Sequence, residues 1–335
     1  MKYTNINFNN KTILITGGAG FIGSNLAFYF QENYPEATVV VFDKFRSDET
    51  FSNGNLKSFG HFKNLLGFKG IIISGDINDS DALKKLESDY KFDYIFHQAA
   101  ISDTTVAEQD VMMKTNVNAY EDLLKIAIKH KANMIYASSA ATYGDSDRFE
   151  VGFEQPNNAY GFSKVMMDNI TYSYLKKDID ISIVGLKYFN VYGPREFFKN
   201  KTASMVVQFG HQILNGLTPK LFEGSDKIVR DFIYIDDIIQ ANIKACDPKQ
   251  SGVYNVGTGK ARSFEDIVDI LQKELEINNG KEYIPNPFVG SYQFFTQANI
   301  ETTQKNLGYE PKFSLEDGIK AYIPEIKRLY DMEVK

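Results

Sequence analysis

Short apolar runs alternate with longer amphipathic stretches over the first half of the chain. Ile13–Ile15, Val39–Phe42, Ile71–Ile73, Tyr94–Phe96, Met134–Tyr136 and Ile181–Leu186 are near-continuous apolar runs of strand length. Between them, stretches such as Val117–Ile128 and Val165–Leu175 carry apolar residues at helical spacing. Alternation of this kind predicts an α/β fold with a doubly wound parallel sheet. Strands apolar on both faces predict helices on both sides of it. After about residue 188 the rhythm changes, because Pro194, Pro219, Pro285 and Pro287 break the pattern and loops lengthen. A smaller mixed α/β lobe is expected there. It is interrupted by a return to the sheet near residues 231–256, where Phe232–Ile235 and Val253–Val256 read as strands. The second crossover is interrupted at Ser52–Leu56 and Gly60–Phe62, which reads either as a surface excursion or as a contact with a partner or cofactor.

Gly17-Gly18-Ala19-Gly20-Phe21-Ile22-Gly23 lies between the first predicted strand and the helical pattern Ser24–Phe28. Strand, glycine turn and helix in that order predict a Rossmann dinucleotide site. Glycine permits the tight turn and the close approach of a pyrophosphate, which the helix N-terminus attracts. The expected organisation is a dinucleotide-binding domain over 1–188, with the return segments near 231–256. A substrate-binding lobe is expected from 189–230 and 257–335.

The second strand ends at Asp43, 20 residues after Gly23, where a carboxylate bonds ribose hydroxyls and favours NAD. Lys44 and Arg46 follow, and either suits a 2′-phosphate. The choice stays open, with a lean to NADP because two cations fit a phosphate dianion better than a free hydroxyl. Asp76, beside Ile77, is placed to bond the adenine amino group or to cap the next helix. Gln98-Ala99-Ala100-Ile101 ends the fourth strand in small residues that let a cofactor pass, whereas His97 reads as a packed histidine.

Ser138 and Ser139 end the fifth strand and are expected to point into the crevice. Tyr160 and Lys164 follow at i, i+4 on one helical face. An ammonium there is expected to lower the phenol pKa from about 10 towards neutrality. The phenolate then exchanges a proton with a hydroxyl while hydride moves to or from nicotinamide. The same spacing recurs at Tyr172 and Lys176, but Tyr160 opens its helix one loop after the serines, and Tyr172 lies three turns further on.

Composition sets the outer limits. The 335 residues are 43% hydrophobic, enough for a substantial core, and the net charge of -6 weighs against nucleic acid or an anionic membrane as partner. The single cysteine, Cys246, excludes an internal disulfide and reads as a buried thiol in a helix. The four histidines show no metal-ligand spacing, so no metal is expected. A polar N-terminus and the lack of any apolar run of roughly 20 residues point to a cytoplasmic protein with no membrane segment.

With the glycine turn, Ser138-Ser139 and Tyr160/Lys164, the chain resembles the extended short-chain dehydrogenases/reductases of the nucleotide-sugar epimerase group. Ser102–Thr105, Tyr136–Gly144, Lys187–Glu196, Pro219–Ser225, Arg230–Phe232 and Tyr292–Gln297 are similar to the ADP-glycero-manno-heptose 6-epimerases among them. The resemblance implies oxidation at C6″ of ADP-D-glycero-β-D-manno-heptose with hydride going to NADP, then return to the opposite face. The product is the L-glycero epimer, a precursor of the lipopolysaccharide inner core. Inversion needs proton chemistry on two sides of the carbinol, and the resemblance makes Tyr160 and Lys199 the two bases. It places Gln98, Ala99, Ala100, Ile101, Ser102, Asn116, Lys164 and Val191 at the cofactor. Ser139, Asn190, Lys201, Gln208, Phe222, Glu223, Gly224, Ser225, Arg230 and Tyr292 are placed at the substrate. A homo-oligomer is implied. About ten extra residues at the start and the enlarged second crossover depart from the pattern, and both are expected on the cofactor side.

Three alternatives differ in what they require. A 4,6-dehydratase needs an acid/base pair just after the serines, where this chain has Ala140 and Ala141. A UDP-sugar 4-epimerase shares Tyr160 and Lys164 but needs no second base at Lys199. A non-catalytic dinucleotide-sensing regulator has no need of Ser138, Tyr160 and Lys164 together.

Overall fold

The computed structural model describes residues 2–286 and 294–335. In chain order the strands are β1 (Thr12–Thr16), β2 (Thr38–Asp43), β3 (Ile71–Ser74), β4 (Tyr94–His97), β5 (Asn133–Ser139) and β6 (Ile183–Tyr188), then β7 (Asn190–Tyr192), β8 (Lys220–Phe222), β9 (Val229–Tyr234), β10 (Gly252–Val256), β11 (Ala261–Ser263) and β12 (Glu282–Ile284). Seven of them form one parallel sheet in the order β10-β6-β5-β4-β1-β2-β3. The helices are α1 (Phe21–Asn33), α2 (Ser80–Asp89), α3 (Gln109–Met113), α4 (Ala119–His130) and α5 (Ala159–Leu175), followed by α6 (Met205–Leu214), α7 (Ile235–Lys244), α8 (Phe264–Leu275), α9 (Glu301–Leu307) and α10 (Leu315–Leu329).

Apolar strands covered on both faces give two cores. Leu14, Val40 and Ile95 pack with Leu83, Leu123 and Met167 from α2, α4 and α5. Ile13, Ile15 and Val41, from the opposite pleats, pack with α1 and α7. That second core continues without a break into α6, α8 and α10. Of the two expected returning strands, only Val253–Val256 joins the large sheet, as β10. Phe232–Tyr234 belongs instead to β9, in a separate sheet with β7 and β11, and Ile235 already starts α7. Near-continuous apolar runs look alike in sequence whichever sheet they join.

The N-terminal extension corrects a second expectation. It lies at the N-terminal ends of the strands, away from the cofactor. Asn10 N–H donates to the Glu36 carbonyl, and the Phe8 ring packs edge-on against Phe30, Tyr34 and Tyr94. Phe8 is fully buried, so Phe8→Ala should cost about 3–5 kcal/mol. Urea unfolding measures this, and a loss under about 1 kcal/mol would show that the extension only lies on the surface. Cys246 is buried on the same side, and burial pushes its thiol up. Among the described residues no helix is long and apolar enough to cross a membrane.

Candidate active site

β1 delivers the chain to the glycine turn at the C-terminal edge of the sheet. Gly17 has φ +68, and a Cβ there would stand 2.6 Å from Ala99 N. A Cβ on Gly23 would meet the Gly17 carbonyl oxygen at 2.2 Å. Only glycine lets the turn close on β4 and α1 start so near it. The α1 N-cap is Gly20, with no side-chain cap and no acidic residue in the first turn. The first N–H groups of Phe21, Ile22 and Gly23 have no partner within their own helix, a cradle that suits a pyrophosphate.

Asp43 closes the turn from β2. Its carboxylate accepts from Ala19 N–H at 2.9 Å and Phe45 N–H at 2.8 Å. Burial raises its pKa, and those two donors oppose the rise. Lys44 pairs with Asp76 at 3.0 Å. The Arg46 guanidinium is turned to the Phe198 carbonyl, so Arg46 is not aimed at a ribose phosphate as the sequence suggested. Asp76 also accepts from Asn78 N–H. It does not cap α2, whose cap is Asp79. Ile77 is buried nearby.

Past β4, Gln98 is bonded to Asn242 and Tyr188, and Ala99 N–H donates to Thr16 Oγ1. Asn116 is fully buried; it bonds the Ile101 N–H and carbonyl and reaches Ser163 Oγ at 3.0 Å. It therefore shapes the backbone at Ile101 from within. His97 is buried, bonded through Nδ1 to Thr16 Oγ1 at 2.8 Å, and burial lowers it to about 3.

α5 starts at Asn158, whose side chain accepts from Gly161 N–H. Tyr160 and Lys164 thus fall on successive turns. A Cβ on Gly161 would lie 2.4 Å from the Ala141 carbonyl oxygen, so glycine brings this helix start against the end of β5. Tyr160 has Ser139 as its serine neighbour, the side chain that lowers the phenol pKa, and it packs against the cluster of Phe51, Ile101, Val106 and Met112. Ser138 does not face the crevice. Its hydroxyl is buried and donates to Asp168 Oδ2 at 3.0 Å, while Tyr136, two residues earlier on the same pleat, donates to Oδ1 at 2.8 Å. The serine beside the base is therefore Ser139, and the catalytic assignment of Ser138 is corrected.

Burial raises the Tyr160 phenol, and the Ser139 bond offsets part of the rise. The expected depression by Lys164 is absent, because the ammonium is turned to the Ala137 carbonyl at 2.7 Å, with Nζ 5.8 Å from the ring centroid. Burial lowers Lys164 itself to about 8, against the opposing charge of Asp168.

Lys199 arrives from the loop after β7, on a turn held by Glu196. That carboxylate accepts from Gly193 N–H, Ser204 N–H and Ser204 Oγ. The Lys199 Nζ stands 6.0 Å from the centroid of the Phe21 ring at the start of α1. Burial lowers its pKa, and Glu196 and Asp103 raise it. Val191 is part of β7, beside exposed Asn190. Lys201 is exposed. Gln208 is turned back to the Ala203 carbonyl at 2.7 Å. Phe222 ends β8 and Glu223 and Gly224 follow it, with Gly224 at φ +77. Ser225 is buried and gives its hydroxyl to Glu265. Arg230 is mostly buried and donates to the Val229 carbonyl. Tyr292 lies outside the described residues.

Residues 13–257 match the model of the NAD dependent epimerase/dehydratase family. The chain belongs to that family. The ADP-L-glycero-D-manno-heptose-6-epimerase of Brachyspira hyodysenteriae is 36% identical over 329 residues, 94% of this chain and 98% of that protein. The crystal structure of the Helicobacter pylori ADP-L-glycero-D-manno-heptose-6-epimerase superposes with a TM-score of 0.88 at 51% identity, over 98% of this chain and 99% of that one. The Thermotoga maritima UDP-glucose 4-epimerase, solved with UDP-glucose, gives 0.83 at 27% identity, over 95% and 99%.

Epimerase/dehydratase members need different groups after the serines according to their chemistry. Here Ala140 and Ala141 form a tight turn capped by Ser139, and neither can carry a proton to a leaving hydroxyl. Sequence reading missed two parts of this member's site. One is Asp168, four residues after Lys164 on the same helical face, a spacing that was there to be seen. The other is what the enlarged second crossover touches: its interruptions stand out in the sequence, but the partners of residues 44–61 are too distant for any spacing rule to reveal.

Proposed function

We propose that this chain inverts C6″ of ADP-D-glycero-β-D-manno-heptose to give the L-glycero epimer, with NADP as cofactor. A cytoplasmic, homo-oligomeric enzyme is part of the same reading, carried by the family resemblance. The reading rests above all on Lys199 being brought to the glycine turn, on the border of the loop that also packs against Tyr160. A 4-epimerase whose ketone turns over in the site has no use for that second amine. Identity to two ADP-heptose 6-epimerases along nearly the whole chain supports the same choice.

A dinucleotide with its pyrophosphate in the Gly17–Gly23 cradle would supply a nicotinamide for hydride acceptance and return. The protein's own residues handle the proton. Tyr160, beside Ser139, takes the carbinol proton of one epimer, and Lys199 serves the other. Lys164 keeps positive charge beneath Tyr160. Phe222 and Arg230 offer a flat face and a cation to the ADP portion. The test is incubation with ADP-D-glycero-β-D-manno-heptose, following C6″ by NMR. Inversion is expected; turnover of UDP-glucose alone would favour the 4-epimerase.

NADP is supported by Lys44. Its half-exposed pair with Asp76 is worth about 0–1 kcal/mol and yields readily to a phosphate dianion. Asp43 meanwhile has both oxygens engaged by backbone donors. Lys44→Ala should weaken NADP binding by roughly tenfold, the equivalent of a charge-assisted hydrogen bond, and leave NAD affinity unchanged. Calorimetric titration with both dinucleotides checks this, and an equal loss for both contradicts it.

A further inference from the structure

The enlarged second crossover is a strap between the dinucleotide cradle and the Lys199 loop. After Asp43 the backbone turns through Phe45 at φ 54, and Arg46 N–H donates to the Gly60 carbonyl at 2.8 Å, closing the loop at its base. The far end folds onto the loop beside Tyr160. Asn53 and Asn55 both donate to Asp103 Oδ2, at 3.0 and 2.7 Å, and Phe51 is buried against Ile101 and Val106. The near end reaches the other base. The Arg46 guanidinium donates to the Phe198 carbonyl. The His61 ring lies flat on the Phe198 ring, with centroids 3.9 Å apart and planes 5° from parallel. His61 is also fixed to the cradle, since its N–H donates to the Ala19 carbonyl at 3.0 Å.

The Lys199 loop requires such support. Arg195 has φ 73 and Asn200 has φ 54, so left-handed residues other than glycine stand on both sides of Phe198-Lys199. Each costs about 1–2 kcal/mol and persists only where surrounding contacts over-determine it. Arg195 is held by Asn25 Oδ1 and the Asn64 carbonyl, and Glu196 by its three donors. At Phe198 itself, Arg46 grips the backbone and His61 the ring.

We propose that Arg46 and His61 are positioning residues for Lys199, holding the Phe198-Lys199 backbone so that the side-chain amine reaches the hydroxyl on the inverted carbon. The inference rests on the two-base reading above. Its consequence is asymmetric. Loosening the strap impairs oxidation of the epimer that Lys199 serves and spares the one that Tyr160 serves.

The experiment is single-turnover reduction of bound dinucleotide by each pure epimer, comparing parent, Lys199→Met, Arg46→Met, Arg46→Lys and His61→Leu. Dinucleotide affinity and melting temperature are measured alongside. Lys199→Met should slow one epimer strongly. Arg46→Met and His61→Leu should slow that same epimer, by up to the order of 10²-fold expected for a misplacement of about 1 Å. The other epimer should stay within about twofold, a change of under half a kcal/mol. Arg46→Lys, which keeps a donor, should recover part of the rate. Equal slowing of both epimers by the strap variants, or loss of dinucleotide affinity alone, overturns the proposal and makes the strap a cofactor contact. If Lys199→Met slows neither epimer, the two-base reading fails first and the strap loses this purpose with it. His61→Leu, which keeps an apolar side chain at the stack, decides the matter should Arg46→Met fold poorly.

Discussion

Tyr160→Phe should lower turnover by about 10²–10⁴-fold, the range for loss of a positioned acid–base group, while dinucleotide binding stays intact. The substitution removes one oxygen from a ring that packs on Ile101, Val106 and Met112, so the fold around it does not change. Its cost is chemical. Burial works against ionising the phenol, and the proton it handles has to move within a site that Ser139 and Lys164 border. Lys164 carries its charge only below about 8. Its pKa is depressed, so the ammonium is fully present at acid pH, predominates at neutral pH and is lost as pH rises through that value. Turnover of the parent should therefore fall on the alkaline side of about 8, and Lys164→Met should lack that limb. A steady-state pH profile with ADP-heptose, alongside dinucleotide titration of Tyr160→Phe, measures both effects. Parent-like turnover by the phenylalanine variant would take Tyr160 out of the reaction.

Much of this site was legible because its parts are local. The glycine turn and the Tyr160/Lys164 spacing each lie within one turn or one helix, where a few residues dictate geometry. The strands of the large sheet were legible because both their faces are apolar. What sequence missed depends on partners far along the chain. Whether Ser138 or Ser139 faces the crevice depends on the pleat of β5, and two adjacent serines carry no mark of it. The parity becomes visible only with Tyr136 and Ser138 both meeting Asp168. Arg46 resembled a phosphate ligand because it follows Asp43, yet its partner is the carbonyl of Phe198, 152 residues away. The N-terminal extension was expected on the cofactor side. A chain entering a parallel strand approaches from the N-terminal edge, which is the edge opposite the crevice.

Lys187→Met should destabilise the protein by about 3–5 kcal/mol, the cost of removing one partner from a buried ion pair. Lys187 lies on β6 with its side chain wholly out of solvent. Its Nζ meets Asp168 Oδ2 at 2.6 Å, Thr142 Oγ1 at 2.9 Å and Glu154 Oε1 at 3.1 Å. Asp168 in turn receives the hydroxyls of Tyr136 and Ser138. Gly185, two residues before Lys187, leaves room for the Tyr136 ring, since a Cβ there would stand 2.4 Å from its hydroxyl. β5, β6 and α5 are thus tied by one buried group of polar atoms directly under Tyr160 and Lys164. Methionine keeps the length of the lysine stem and fills the same channel, so the loss is electrostatic and not a cavity. Two carboxylates then remain with no ammonium between them. Replacing the second charge as well, in Lys187→Met/Asp168→Asn, removes the buried unpaired carboxylate, and Glu154 still reaches solvent. The double variant should therefore be more stable than the single one. Urea unfolding of parent, single and double variants measures the difference. A single variant as stable as the parent would show that β5, β6 and α5 are held by packing alone, and a double variant weaker than the single would show that the Asp168 bonds to Tyr136 and Ser138 outweigh its unpaired charge.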